Sequence, residues 1–392
     1  MSHQFCPYCF EATSDHSDIF LCKNRKCKIA LDSQKKYNPE NIKVLPASGM
    51  TGNCFQRGAL SELLAAIGIA KKQEGSCPSC NQGSQQKICR NCKMPIPISQ
   101  SGDTSIIVSI IGTPGAGKST WLAAAIQELS ANIGPANGFD FQPVGELTRA
   151  HYRTNYYDPI FVRNEKIPPS DRKGIEEIHN PLVYSFTHQD TGESATFIFL
   201  DVAGEDLNDV EYMAHSLKYI HRSDVILHLI DLADIVNEEP RPIEIDVAGQ
   251  AQSASTQITL NSMSASDILA RIYELHTTHG VVAVGEKVSA PLGIIAAKLD
   301  RHVNTISKLD FSEVYSDKKI RENADLIKTF LFDSGVRGYL QSAKNRFDDS
   351  TCFGVSSLGH NPEIGTENIH PLGVTDPLVW ALSRLNLLRG EE

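Results

Sequence analysis

The stretch "GTPGAGKS", residues 112–119, decides the fold. It follows the β-branched apolar run "SIIVSIIG", which ends at Gly112, and leads directly into "STWLAAAIQEL". A short apolar β-branched run reads as a buried parallel strand, and the alanine- and leucine-rich segment after it reads as a helix. In that strand–loop–helix setting, G-x-x-x-x-G-K-[ST] is a phosphate cradle. Gly112, Gly115, Ala116 and Gly117 let backbone N–H groups turn inward around a β-phosphate, and Pro114 stiffens the loop. Lys118 is expected to reach the β- and γ-phosphates and Ser119 to ligate Mg²⁺. Ser119 and Thr120 open the helix whose dipole favours the anion.

Downstream segments recur in the order that such a cradle needs. "NPLVYSFTHQDTGESATFIFLDVAGED" reads as a hairpin turning at "DTGE" and ending in Asp201-x-x-Gly204. At the end of an apolar strand, Asp201 can hold Mg²⁺ through water and the Gly204 N–H can meet a γ-phosphate. "SDVILHLIDL" is a further buried strand. "APLGIIAAKLD" ends in Lys298 and Asp300, where the carboxylate can accept both N–H groups of a guanine edge while the Lys298 stem covers the ring. "CFGVSSLG" supplies Ser356, Ser357 and Leu358, where a backbone N–H can meet the guanine O6. A second "DVAG" at Asp246 follows no long apolar strand and is discounted.

On these residues (GTPGAGKS, DVAG, AKLD and SSL, each after a strand), the chain from about 104 to 390 resembles the Ras-like, translation-factor-related class of P-loop GTPases. With "CPSC" and "CRNCKMPIP" ahead of the cradle strand, it looks most like the bacterial zinc-ribbon branch called double-GTPase proteins. The resemblance implies GTP/GDP and Mg²⁺ as cofactors. It also implies a hydrolysing nucleotide switch with Lys118, Gly204 and Glu205 around the γ-phosphate, and a setting in bacterial conflict or defence systems. Three departures stand out. Ala297 occupies the place where an Asn or Thr usually bridges to the phosphate loop. Glu205 stands where a water-positioning Gln is frequent, so hydrolysis is expected to be slow, to need a partner's arginine, or to use Glu205 as the water orienter. Residues 155–186 lack Thr, which leaves Ser170 as the candidate switch ligand for Mg²⁺.

Ahead of this domain lie nine of the ten cysteines, eight of them paired as Cys6–Cys9, Cys22–Cys27, Cys77–Cys80 and Cys89–Cys92. Three pairs are C-x₂-C, whose two intervening residues let a tight turn aim both sulfurs at one tetrahedral Zn²⁺, and Cys22–Cys27 is C-x₄-C; four pairs imply two zinc ions in a closed, structural double ribbon. Ligation in chain order (first pair with second, third with fourth) and an interleaved order (first with third, second with fourth) are both allowed. His3 and His16 are unnecessary as ligands, and Cys54 and Cys352 read as ordinary core residues. "QRGALSELLAAIGIAKK" reads as an amphipathic helix between the zinc groups. "KMPIPISQSGDT" marks a domain boundary near residue 100.

The expected architecture is thus an α/β, three-layer P-loop G domain over 101–392, with a mostly parallel sheet, preceded by a double zinc-ribbon module over 1–100. The G domain exceeds a minimal one, with insertions near 132–178, 234–262 and 360–375. Net charge is −10, but residues 1–100 are net basic. Two Cys₄ sites would cancel most of that excess, so nucleic acid is a weak expectation and a protein partner, including a GTPase-activating one, a stronger one. The tyrosine- and arginine-rich run "AHYRTNYYDPIFVR" reads as packing or partner surface ahead of base stacking. No apolar stretch approaches the ~20 residues of a membrane span, and the amino terminus lacks a signal-peptide pattern, which points to the cytoplasm. Two alternatives remain: a GTP-binding scaffold without turnover, and a zinc-ribbon nucleic-acid binder regulated by a G domain.

Overall fold

A computed structural model describes residues 6–10, 19–21, 54–56, 75–76, 83–84, 87–89, 92, 94, 96, 104–113, 115–167, 181–201, 219–231, 264–301, 306, 308–311, 316–359 and 369–388. Its centre is a seven-stranded sheet in the order β12-β11-β10-β6-β9-β8-β7. The strands are β6 (Ser105–Gly112), β7 (Phe139–Pro143), β8 (Leu182–His188), β9 (Ser194–Asp201), β10 (Val225–Asp231), β11 (Leu292–Ala297) and β12 (Ser350–Gly354). β6, β10, β11 and β12 run parallel. Their sequences are mainly apolar, with Ser109 and His228 among the exceptions, and β10 and β11 are buried at every residue, as strands covered on both faces must be. β7, β8 and β9 pair antiparallel. Val144 N–H adds one more bond to Val183 O at 2.8 Å.

Two glycines show where the covering helices lie. A Cβ on Gly293 would meet Trp380 of α6 (Asp376–Arg384), and one on Gly354 would meet Ile327 of α4 (Asp317–Asp333) at 2.4 Å. Gly354 sits opposite Ala296, three residues from Gly293 along β11, so the two positions face opposite sides of the pleat. Helices therefore cover both faces, and the expected three-layer α/β architecture is present. The other helices are α1 (Lys118–Glu128), α2 (Gly145–Tyr152), α3 (Ala265–Thr278) and α5 (Arg337–Arg346). A ten-residue π-helical stretch, Arg153–Val162, continues α2 with Pro159 inside it.

The amino-terminal part contributes short strands: β1 (Ile19–Leu21), β2 (Cys54–Gln56), β3 (Gly75–Ser76), β4 (Gly83–Ser84) and β5 (Lys87–Ile88). β1 is central in a three-stranded antiparallel sheet with β2 and β5, and β3 pairs with β4. The chain divides into two compact units that alternate along the sequence. One comprises Met1–Ile107, Gly138–Asn155 and Lys173–Leu200; the other comprises Val108–Asn137, Tyr156–Arg172 and Asp201–Glu392. Apart from Gln56, which belongs to β2, the connecting helix expected around residues 56–72 lies outside the described residues, as do Ser170, Gly204, Glu205, Pro114, Cys22, Cys27, Cys77 and Cys80.

Candidate functional site

The phosphate loop forms where β6 meets α1. A Cβ on Gly112 would lie 2.3 Å from Leu229 O, so only glycine permits β6 and β10 to pass this closely. Gly115 (φ 77°) and Gly117 (φ 86°) adopt left-handed conformations, which cost a residue bearing a Cβ about 1–2 kcal/mol. Ala116 is fully buried, and its N–H reaches Thr113 O at 3.2 Å. The α1 N-terminus has no side-chain cap and no acidic residue in its first turn, leaving its positive end open to an anion. Lys118 is buried and its Nζ donates to Gly112 O at 3.0 Å and Thr113 O at 3.1 Å. The ammonium therefore lies inside the curl of the loop. Thr120 is half-buried in the same helical turn.

Ser119 Oγ donates to Asp201 Oδ2 at 2.5 Å. The strand end of β9 thus brings the expected Mg²⁺ pair together, and two adjacent oxygen donors suit a hard divalent cation. Ser119 and Asp201 are the residues that could hold such an ion. The same Oδ2 lies 3.5 Å from the hydroxyl of Tyr156, a buried residue of the π-helical stretch that sequence reasoning did not place here. Its neighbours also pack inward: Tyr152 meets Tyr184 edge-on, and Tyr157 lies against Phe161.

Beyond β11 the chain makes a tight, heavily bonded turn. Lys298 is left-handed, with φ 62°. Leu299 N–H bonds to Val355 O at 3.0 Å, and Arg301 N–H to Lys298 O at 3.1 Å. Asp300 is half-buried, and Ser356 Oγ donates to its Oδ1 at 2.6 Å. Gly359 N–H donates in turn to Ser356 Oγ at 3.1 Å. The two segments expected at a guanine base are thus in direct contact. One detail changes: Ser356 N–H is taken by Leu372 O at 2.9 Å, so an O6 contact would fall to the N–H of half-buried Ser357 or beyond. Lys298 Nζ forms an ion pair with Asp231 Oδ2.

Cys6, Cys9, Cys89 and Cys92 converge, with all four sulfurs within 4.8 Å of one another. Cys6 Sγ lies 3.6 Å from Cys92 Sγ, and Cys9 Sγ lies 3.5 Å from Cys89 Sγ. Tetrahedral Zn²⁺ with bonds of about 2.3 Å has sulfur–sulfur edges of about 3.8 Å, so the residues fit that ion. Hydrogen bonding with Cys6 pulls the Cys89 thiol down to about 7, and the same contact pushes Cys6 far above the ordinary thiol range. Four cysteine sulfurs held this close fit a cation, which would hold them as thiolates. Tyr8 and Met94 are buried beside the sulfurs, and Leu147 of α2 packs on the same cluster. This grouping corrects the expected partition. The first cysteine pair joins the fourth, in neither chain order nor the interleaved order, because antiparallel β1–β5 pairing carries the chain before Cys89 back beside the strand before Cys22.

A family model described as Double-GTPase 2 matches residues 106–325, from the cradle strand into α4. That is more than half of the chain. The chain belongs to the Double-GTPase 2 family. This Double-GTPase 2 protein is 23% identical over 328 residues to the "Putative ESX-1 scaffolding and assembly protein SaeC" of Mycolicibacterium smegmatis, across 78% of this chain and 82% of that one. Among solved structures it is similar to the Arl6 BBS3 small GTPase from Trypanosoma brucei with bound GppNp (TM-score 0.32, 10% identity, 73% of this chain and 100% of that one). It is also similar to the S. cerevisiae Ski7 GTPase-like domain bound to GDP and inorganic phosphate (TM-score 0.33, 15% identity, 73% and 51%). Both structural likenesses are too slight to bear on function. Among the described residues, no helix is long and apolar enough to cross a membrane.

Proposed function

We propose that this Double-GTPase 2 protein binds GTP with Mg²⁺, hydrolyses it, and uses the change of nucleotide to order and release segments near 160–178 and 203–215. The observation that carries this reading is the convergence at the sheet's carboxyl edge of Lys118 within its loop, Ser119 on Asp201, and Asp300 on Ser356. Phosphate, metal and base each have a matching group there. Lys118 and the Gly204 N–H serve the γ-phosphate, and Ser119, Asp201 and Ser170 serve Mg²⁺. Glu205 orients water or yields to a partner's arginine. Lys298, Asp300, Ser356 and Ser357 read the base.

The amino-terminal module over 1–100 is a double zinc ribbon that recruits a protein partner. With Cys6, Cys9, Cys89 and Cys92 spent on one ion, the second falls to Cys22, Cys27, Cys77 and Cys80. The description of the SaeC relative as a scaffolding and assembly protein favours work on a protein assembly over a defence setting. Phosphate release from GTP by the purified full chain, beside Lys118→Ala, tests the enzymatic reading. The wild type should turn over, even if slowly, and the variant should not. Equal release by both contradicts the proposal, and tight GTP binding without turnover leaves a scaffold instead.

A further inference from the structure

Ala297 is buried, with a methyl group where a polar side chain would tie the base turn to the phosphate loop. The turn nevertheless holds Lys298 in a left-handed conformation, and the neighbouring strand shows how. β10 lies between β6 and β11 in the sheet. Its residue Leu229 is level with Gly112, and its last residue, Asp231, is level with Ala297. β10 therefore extends past the start of the phosphate loop and ends between that loop and the base turn. There the Asp231 side chain, 9% exposed, pairs with the Lys298 ammonium, whose side chain is 34% exposed. A nearly buried carboxylate paired with a cation restrains both groups, because breaking the pair weakens the compensation of a charge removed from water.

From this geometry we infer that Asp231 is a positioning residue for the base site: it holds Lys298 so that its stem lines the purine face, in place of the missing polar group at 297. The inference rests on the guanine-binding reading above. Lys298 is the more exposed of the two and reaches water once Asp231 is removed. Asp231→Ala is therefore the variant that spares the fold.

Calorimetric titrations of the full chain with GDP, ADP and inorganic tripolyphosphate test the inference. Asp231→Ala should bind GDP about tenfold more weakly, the size of one charge-assisted hydrogen bond. Its affinity for tripolyphosphate, which needs only the phosphate loop, should match that of the wild type. Adding Ala297→Asn to Asp231→Ala should recover most of the GDP affinity. Unchanged GDP binding overturns the inference. So does a parallel loss of GDP and tripolyphosphate, which would mark a general structural role, and so does failure of Ala297→Asn to rescue. A wild type that does not prefer GDP to ADP refutes the guanine reading itself, and that arm is read before any variant.

Discussion

Ser356 shows how a single hydroxyl can set specificity. Its Oγ donates to Asp300 while accepting from Gly359 N–H, so one carboxylate oxygen is oriented before any base arrives. Ser356→Ala should lower GDP affinity about tenfold and leave tripolyphosphate affinity unchanged, as read by the same titrations. An unchanged GDP affinity would mean that the hydroxyl merely caps the turn. Tyr156→Phe removes the long contact to Asp201 and should alter the Mg²⁺ dependence of nucleotide binding by no more than a few-fold; a larger shift would make Tyr156 part of the metal site. Lys118, Ser119, Asp201 and Asp300 were legible in the sequence because each sits at a fixed offset from a strand end. Asp231 and Tyr156 were not. Asp231 depends on which strand lies beside β11 and at what register, and Tyr156 on how a π-helical stretch packs. Neither leaves a local spacing to read.

At the scale of elements, the apolar runs located β6 and β8 through β12 because largely buried strands carry a mainly apolar signal. β7 was missed. Its sequence, FDFQP, alternates weakly over five residues, and it is a strand because Phe139 and Phe141 pack on Phe186 and Tyr184 of β8. One buried polar pair couples a strand to a helix: His228 of β10 is fully buried, with Nδ1 2.8 Å from the Tyr339 hydroxyl of α5. Burial, assisted by Lys118, pushes the His228 pKa down to about 3. The folded state therefore holds the imidazole neutral while the unfolded chain protonates near 6.5. The stability this contributes is complete above pH 6.5 and is lost as pH falls towards 3, at up to about 1.4 kcal/mol per unit. Asp376, raised to about 6 by burial, acts oppositely between 3.8 and 6, so the contrast must be taken against a variant. Denaturation of wild type and His228→Leu/Tyr339→Phe at pH 7 and pH 5 should show the variant losing less stability on acidification. Equal losses would contradict the neutral, buried assignment.

For the whole molecule, four cysteine pairs raised the expectation of zinc, but their grouping could not be read from spacing, since strand pairing far along the chain decides which pairs meet. Leu147 of α2 packs on the Cys6–Cys92 cluster, and Gly138–Asn155 shares a compact unit with the amino-terminal residues. Metal removal should therefore reach beyond residue 100. Elemental analysis should give about two zinc per chain, and chelation should raise hydrogen exchange in 145–152 as well as in the cysteine-rich part. Exchange confined to residues 1–100 would contradict that coupling. The central claim is that the Asp300 carboxylate reads a guanine edge, and base-swapped nucleotides test it most directly. Asn at 300 offers one acceptor and one donor, which suit xanthine, where an oxygen replaces the 2-amino group. Wild type should prefer GTP to both XTP and ATP, and Asp300→Asn should reverse the order to favour XTP by tenfold or more, on the order of one or two hydrogen bonds. An unchanged preference in Asp300→Asn, or a wild type that favours ATP, would contradict the account.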